Sequence, residues 1–416
     1  MKRLLILIFL YLCVITIAES QVYDWRGHGR SGIYNETGLL KEWPKSGPEL
    51  LWEAEDLGFG YASPTITDDA IYITGRDDDD DVLTALTLYG NKKWSVKYGK
   101  AWTRNHDGTR CIPTYVDGNI YLISGSGDIV CIDSYGKIKW TRNHYKMYNS
   151  SPLMFGIAES PVYVDSMVIA SPGGNKASVV AFNADDGTVE WEAEALNEGP
   201  QYINPLLIEH GGKKIFVTVT SNHIIGINTE NGNILWKVNY ESINNRSFGS
   251  RKNHCVTPVY RDGYILVANG YDYVAVKLKL SPDGSDVDIV WTNSDLEPHH
   301  GGMVLIGDYV YSSNHMSNAM GDWVCVDWNS GDTKWIERWH CKGPVIAADG
   351  MLYLYEERTG HVGLAKPDPR KLDIVSEFQI TKGTGPHWAH PVIKDGKLYI
   401  RHGEVLMVYS IINDQV

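Results

Sequence analysis

Cysteine, phenylalanine and basic charge are all in short supply in this 416-residue chain, and each shortage closes off a class of protein. The six cysteines include no adjacent pair and no Cys-x-x-Cys-His haem pattern, and Cys13 lies within the first twenty residues. The remaining five are an odd number in a long chain, so this is not a scaffold built on disulfides. Thirty-eight Lys and Arg face 51 Asp and Glu, a formal net charge of -13, which argues against nucleic acid and against anionic membrane surfaces as partners. Long apolar runs are also missing beyond Leu4–Ala18. That run follows Lys2-Arg3, is too short to span a membrane, and ends at Ala18-Glu19-Ser20, so residues 1–20 read as a signal peptide and the mature protein as exported, periplasmic or secreted. Only seven Phe stand against 25 Tyr and 14 Trp. Aromatics with a polar tip suit positions that pack on one side and meet water or a backbone carbonyl on the other.

What the chain has in abundance is one repeated phrase. Val179–Trp191 (VVAFNADDGTVEW) reads as a strand, a turn of residues that tolerate positive φ, and a strand closing on tryptophan. Val130–Trp140, Ile224–Trp236 and Val324–Trp335 are clear copies. Leu83–Trp94 is weaker, Val274–Trp291 carries an insertion, Val362–Phe378 ends on phenylalanine, and Trp52 closes a strand with no hairpin before it. The closing aromatics recur every 42 to 55 residues or so, the period of propeller blades or solenoids. A second hairpin precedes each copy, as in Pro113-Thr-Tyr-Val-Asp-Gly-Asn-Ile-Tyr-Leu, and two hairpins make a four-stranded antiparallel blade. The predicted fold is therefore all-β. Innermost strands are expected to start at Pro64, Pro113, Pro161, Pro205, Pro258, Met303, Pro344 and Pro391, which gives eight blades, with seven as the alternative. The last blade lacks a closing strand and Glu49–Glu53 lacks a hairpin, so the two are expected to pair and close the ring. Residues 49–416 are then the propeller domain. Residues 21–48, with the Gly- and Arg-rich stretch Asp24–Gly32, are expected to form a lead-in strap packed across the ring; cradling of an anion by that stretch is the alternative. The acidic run Asp77–Asp81 is expected as a solvated loop, with calcium binding as the lesser possibility.

The phrase Ala/Val-x-Asp/Asn-x-x-x-Gly-x-x-x-Trp resembles the tryptophan-docking repeat of the pyrroloquinoline-quinone (PQQ) propeller superfamily, over nearly all of the chain from about Leu51 to Ile412. That superfamily includes quinoprotein alcohol dehydrogenases and a cofactor-free propeller lipoprotein of outer-membrane barrel assembly, so the resemblance implies the fold strongly and the activity weakly. The dehydrogenases use an adjacent-cysteine pair stacked on the quinone and a Glu/Asn/Asp calcium cluster. Neither motif is present here, so PQQ is implied by resemblance alone and no cofactor or metal is assigned.

Registering the repeats exposes a candidate site. Four residues before each innermost strand stand Gly60, Thr109, Ile157, Gln201, His254, His299, His340 and His387, so four successive blades carry histidine at one register. The next position adds Arg110, Tyr202, His300 and Trp388, and the long loop Trp94–Pro113 adds Arg104 and His106. Loops on one face of a rigid scaffold are where binding usually resides, and imidazoles there could hold a metal or an anion or act as acid and base. The alternative is that each histidine hydrogen-bonds a neighbouring blade's backbone. As a site, the arc is expected to line one channel mouth and to titrate between about pH 5 and 8. Trp94, Trp140, Trp191, Trp236, Trp291 and Trp335 are expected to be structural. Taken together, the sequence reads as a monomeric binding scaffold for a small molecule, protein or peptide. The alternatives are a quinoprotein- or metal-dependent oxidoreductase and an envelope assembly factor.

Overall fold

A computed structural model describes residues 21–244 and 252–413; the expected signal peptide lies outside the described residues. The described strands form eight antiparallel sheets of four strands each, two of them extended by one short extra strand. Seven blades are continuous in sequence, running 65–100, 114–143, 162–192, 206–239, 259–293, 303–337 and 345–379. The eighth joins three C-terminal strands within 392–410 to Glu49–Ala54, whose residues pair with Ser410 back to Leu406. The ring is thus an eight-bladed propeller closed by both ends of the chain.

Turn chemistry fixes the first hairpin of several blades. Asp117-Gly118, Asp262-Gly263, Asp349-Gly350 and Asp395-Gly396 all have positive φ at both positions, the backbone a two-residue hairpin turn demands. The second hairpin ends on the tryptophan, which docks on the following blade. The indole N–H of Trp94, Trp140, Trp191, Trp291 and Trp335 donates to the carbonyls of Ser134, Ala184, Thr229, Trp328 and Asp368, at 2.8–3.1 Å. Turn glycines let the rings approach. A Cβ on Gly187 would stand 2.7 Å from the Trp140 ring, and one on Gly232 2.6 Å from Trp191. Trp52 meets Gly90 of blade 1 in the same way across the closing seam. Arg401 reinforces that seam from inside. Fully buried in blade 8, it donates to the carbonyls of Gly58, Ala62 and Thr74 of the neighbouring segment and to Gly403.

The lead-in enters the channel and runs from the innermost strand of blade 2 to that of blade 7. Strand β1 (Val22–Tyr23) pairs antiparallel with the innermost strand of blade 2, and β2 (Ile33–Tyr34) pairs parallel with that of blade 7. Both occupy the edges that face the axis. Between them, Arg26 donates to the carbonyls of Met303 (2.7 Å) and Val345 (3.0 Å) and to His390 Nδ1 (2.7 Å). Arg30 donates to Ser160, Pro161 and Pro205 and pairs with Asp24 at 2.7 Å. These guanidinium groups do not cradle an anion; they satisfy carbonyls at the tops of innermost strands, which a propeller otherwise leaves facing its channel. The acidic run also differs from a wholly solvated loop. Asp77–Asp81 forms the tight turn between two strands of blade 1, with Asp80 paired to Lys97 and Lys100. Asp81 is buried, accepts from the Gly125 N–H at 2.6 Å, and has its carboxyl pushed up to about 7 by desolvation.

Candidate functional site

Each innermost strand runs away from one face, so the loops that enter these strands and the turns between second and third strands share that face. On it, side chains from several blades converge around Trp388. The Trp388 ring lies 4.8 Å from Tyr61, 5.1 Å from His106 and 5.1 Å from His300, centroid to centroid. His106 continues to Phe155 (5.7 Å), and Phe155 to Tyr202 (5.9 Å), whose hydroxyl accepts from the Phe155 N–H at 3.1 Å. Arg110 sits over the Tyr61 ring at 5.2 Å and donates to the carbonyls of Gly108 and His106. Arg104, fully outside, covers Trp102 at 5.5 Å. Arg110, Tyr202, Trp388, His106 and His300 thus form one connected, partly open mouth, with Arg104 at its rim.

On its far side the mouth becomes a histidine cluster. His299 lies 4.3 Å from His300 and 4.6 Å from His315, and its Nε2 is 2.6 Å from the Tyr271 hydroxyl. His300 Nε2 lies 3.3 Å from Glu357 Oε2. The other carboxylate oxygen of Glu357 accepts from Lys342, which is fully buried and also donates to the Ser317 carbonyl at 2.8 Å. His390 ties this cluster to the channel plug. Its Nδ1 accepts from Arg26, and its Nε2–H donates to the His300 carbonyl at 2.8 Å, a pairing that fixes the tautomer.

The other three histidines of the arc go elsewhere. His254 is buried between Tyr240 and Tyr273 in the seam of blades 4 and 5. His387 stacks on His402 at 3.6 Å and receives the Tyr355 hydroxyl on Nδ1 at 2.6 Å, inside the seam of blades 7 and 8. His340 has φ +47, which turns it out along blade 7 to stack on His361 at 3.9 Å beside Glu377. Equal register therefore brings the backbones to one level but does not bring the four rings together. The expected titration between pH 5 and 8 fails for the buried rings. Desolvation holds His254 down to about 4 and His300 and His387 to about 3, and places His299 well below 6.5.

Residues that register did not single out are Tyr271, His315, Lys342, Glu357 and His390. Tyr271 and Glu357 sit in turns between second and third strands, and His315 near the end of a second strand, a part of the blade the register did not compare. The Glu356-Glu357 pair inside an otherwise apolar hairpin was the available signal.

Fold and repeat together define a propeller of the PQQ-like class whose channel is filled by its own N-terminal segment. A family model described as "Outer membrane protein assembly factor BamB" matches residues 99–337, more than half of the chain, and the chain belongs to that family. An uncharacterized protein of Rickettsia conorii is 23% identical over 243 residues, which cover 56% of this chain and 53% of that protein. The chain therefore spans about half the length of this curated relative. Among solved structures, BamB from Moraxella catarrhalis superposes with a TM-score of 0.63 at 13% identity, covering 87% of this chain and 99% of that one. A europium-containing methanol dehydrogenase reaches 0.60 at 12% identity, covering 90% and 88%. At such identities the likeness is one of fold.

The quinone implied by the wider superfamily can be tested against the residues present. No two cysteines are adjacent, and the two arginines on the axis, Arg26 and Arg30, already have main-chain carbonyls as acceptors. Trp25 packs edge-on to His390 at 5.0 Å, where the lead-in fills the space around the axis. These residues do not fit the quinone site of the alcohol dehydrogenases.

Proposed function

We propose that this chain is an exported binding scaffold that captures an extended protein segment at the mouth formed by Tyr61, His106, Arg110, Tyr202, His300 and Trp388. The observation that carries the reading is the unbroken ring contact from Tyr61 through Trp388 to His106 and His300, built by loops of different blades. Aromatic faces and an arginine on a rigid scaffold offer large contact area at small ordering cost, the usual makings of a binding hot spot. Met154 stands exposed on a loop of the same face, Met316 and Met320 at the strand ends that flank a turn there, and flexible thioethers adapt to varied partners. Membership of a family described as an outer-membrane assembly factor favours a protein partner in an envelope compartment over a small-molecule substrate. The basic-then-apolar start of the sequence supports export.

Site-specific photocrosslinking in the native host tests this. A crosslinking residue at Met316 is expected to trap a protein, one at Tyr135 on the opposite face is not, and Arg104→Ala/His106→Ala should abolish the Met316 adduct. Equal adducts from both faces would overturn the reading. N-terminal sequencing of the accumulated protein, expected to begin at Gln21, tests export.

A further inference from the structure

We propose that His299, His300 and Glu357 form a binding site for a divalent first-row transition ion at the propeller mouth. The proposal does not depend on a protein partner, because it concerns the free chain alone. One potential donor atom from each residue lies within 4.8 Å of the others. His300 Nε2 and Glu357 Oε2 are 3.3 Å apart, and neither has a hydrogen-bond partner among the described residues. Two ligands bound at about 2.1 Å in a tetrahedral shell stand about 3.4 Å apart, so this spacing is already that of a coordination edge.

Unsatisfied atoms gather here. His299 Nδ1, His300 Nε2, Glu357 Oε2 and the neighbouring His315 Nδ1 are all buried without a hydrogen-bond partner among the described residues. Each such buried group is costly when left without a partner. The three from His299, His300 and Glu357, with each imidazole in the tautomer that leaves the named nitrogen unprotonated, form a set that one cation satisfies at once.

The second shell is also in place. The Tyr271 hydroxyl lies 2.6 Å from His299 Nε2 and, accepting from its N–H, leaves the lone pair on Nδ1; Lys342 donates to Glu357 Oε1, and Oε2 lies beside His300. Lys342 also brings positive charge close to the ion, which weakens its binding. Two imidazoles and one carboxylate select a transition ion over calcium or magnesium and leave at least one position for water or for His315. The other histidine group, His340, His361 and Glu377, is more exposed, and its atoms are engaged. Glu377 Oε2 accepts from the Trp339 indole at 2.7 Å, and His361 Nδ1 meets Thr359 at 2.8 Å.

The test is zinc titration of the full mature chain by calorimetry, together with anomalous diffraction from zinc-soaked crystals of the unmodified protein. One ion per chain is expected, with a peak about 2.1 Å from donors of His299, His300 and Glu357. His299→Gln and His300→Gln should each weaken binding about tenfold or more, and His340→Gln should leave it unchanged. No binding, binding unaffected by both mouth variants, or a peak only at His340 would overturn the proposal. The crystal result stands even if a variant fails to fold.

Discussion

At the seams between blades, five tryptophans make the same hydrogen bond to the same kind of carbonyl in the next blade. At the mouth, no two blades supply the same contact. His254, His299, His340 and His387 share one register yet meet two tyrosines, a histidine cluster, solvent and His402 respectively. A seam poses one packing problem at every step around the ring, so a single residue pattern answers it repeatedly. A mouth has no such symmetry, because loops of unequal length meet on the axis and each must fit different neighbours.

The sharpest way to break this contrast is to open the ring. Removing the mature chain through Trp52 takes away both channel strands and the outer strand of blade 8, together with the Trp52 contact on Gly90. The cooperative thermal transition is expected to be lost outright, since an unpaired blade and an unfilled channel remain. An unchanged Tm would remove both the closure and the plug from the account of stability.

Single seam residues come next. Trp191→Ala, at a site 8% exposed with its indole bonded to Thr229, is expected to cost about 3–5 kcal/mol in denaturant unfolding. Trp236 offers an internal control. It is 4% exposed, but its indole N–H has no partner among the described residues, and the blade it packs toward carries the Val274–Trp291 insertion. Trp236→Ala should therefore cost less than Trp191→Ala by about 1 kcal/mol, the worth of one hydrogen bond. Equal losses would mean that ring burial alone sets the seam.

How far the sequence could be read follows the same division. The Asp-Gly turns, the Trp–Gly docking distance and the orphan strand at Glu49 are local or periodic features, and they give blade number and ring closure directly. The channel plug was not legible, because Arg26 and Arg30 find their acceptors in Met303, Val345, Ser160, Pro161 and Pro205, up to 319 residues away. At the mouth, register located the backbone level of His299 and His300 correctly. It could not foresee that the left-handed φ of His340 swings that ring outward, or that Glu357 and Lys342 would meet His300 from turns and loops of another blade.

His254 sharpens the comparison, being a mouth-register residue that behaves as a seam residue. Tyr240 and Tyr273 pack its faces, with Glu241, Glu198 and Lys252 further out, and a backbone contact at Ser221 only partly offsets burial. Its folded pKa of about 4 is below the ordinary 6.5, so the unfolded chain takes up the proton first as pH falls. The stability it contributes is complete above about pH 6.5, declines between 6.5 and 4, and changes no further below that. The drop between those two values is on the order of 3 kcal/mol. His254→Phe should flatten that part of the stability–pH curve measured by urea unfolding, and an unaltered slope would place the acid sensitivity in other groups.

The smallest expected effect on stability belongs to the mouth itself. Arg104 and His106 are both exposed, and their ring contacts, to Trp102 and to Phe155 and Trp388, lie on the open side of the face. Truncating exposed side chains outside any buried network usually changes stability by no more than about 0.5 kcal/mol. Arg104→Ala/His106→Ala should therefore unfold at the same denaturant midpoint as the parent while retaining less than about a tenth of its partner binding, since central aromatic and arginine contacts carry most interface energy. Measured side by side, the seam variant Trp191→Ala should lose stability while its folded fraction still binds, and the mouth variant should do the reverse. If the mouth pair instead destabilised the fold as much as a seam tryptophan, the loops would be part of the ring's structural frame and the division between seam and mouth would not hold.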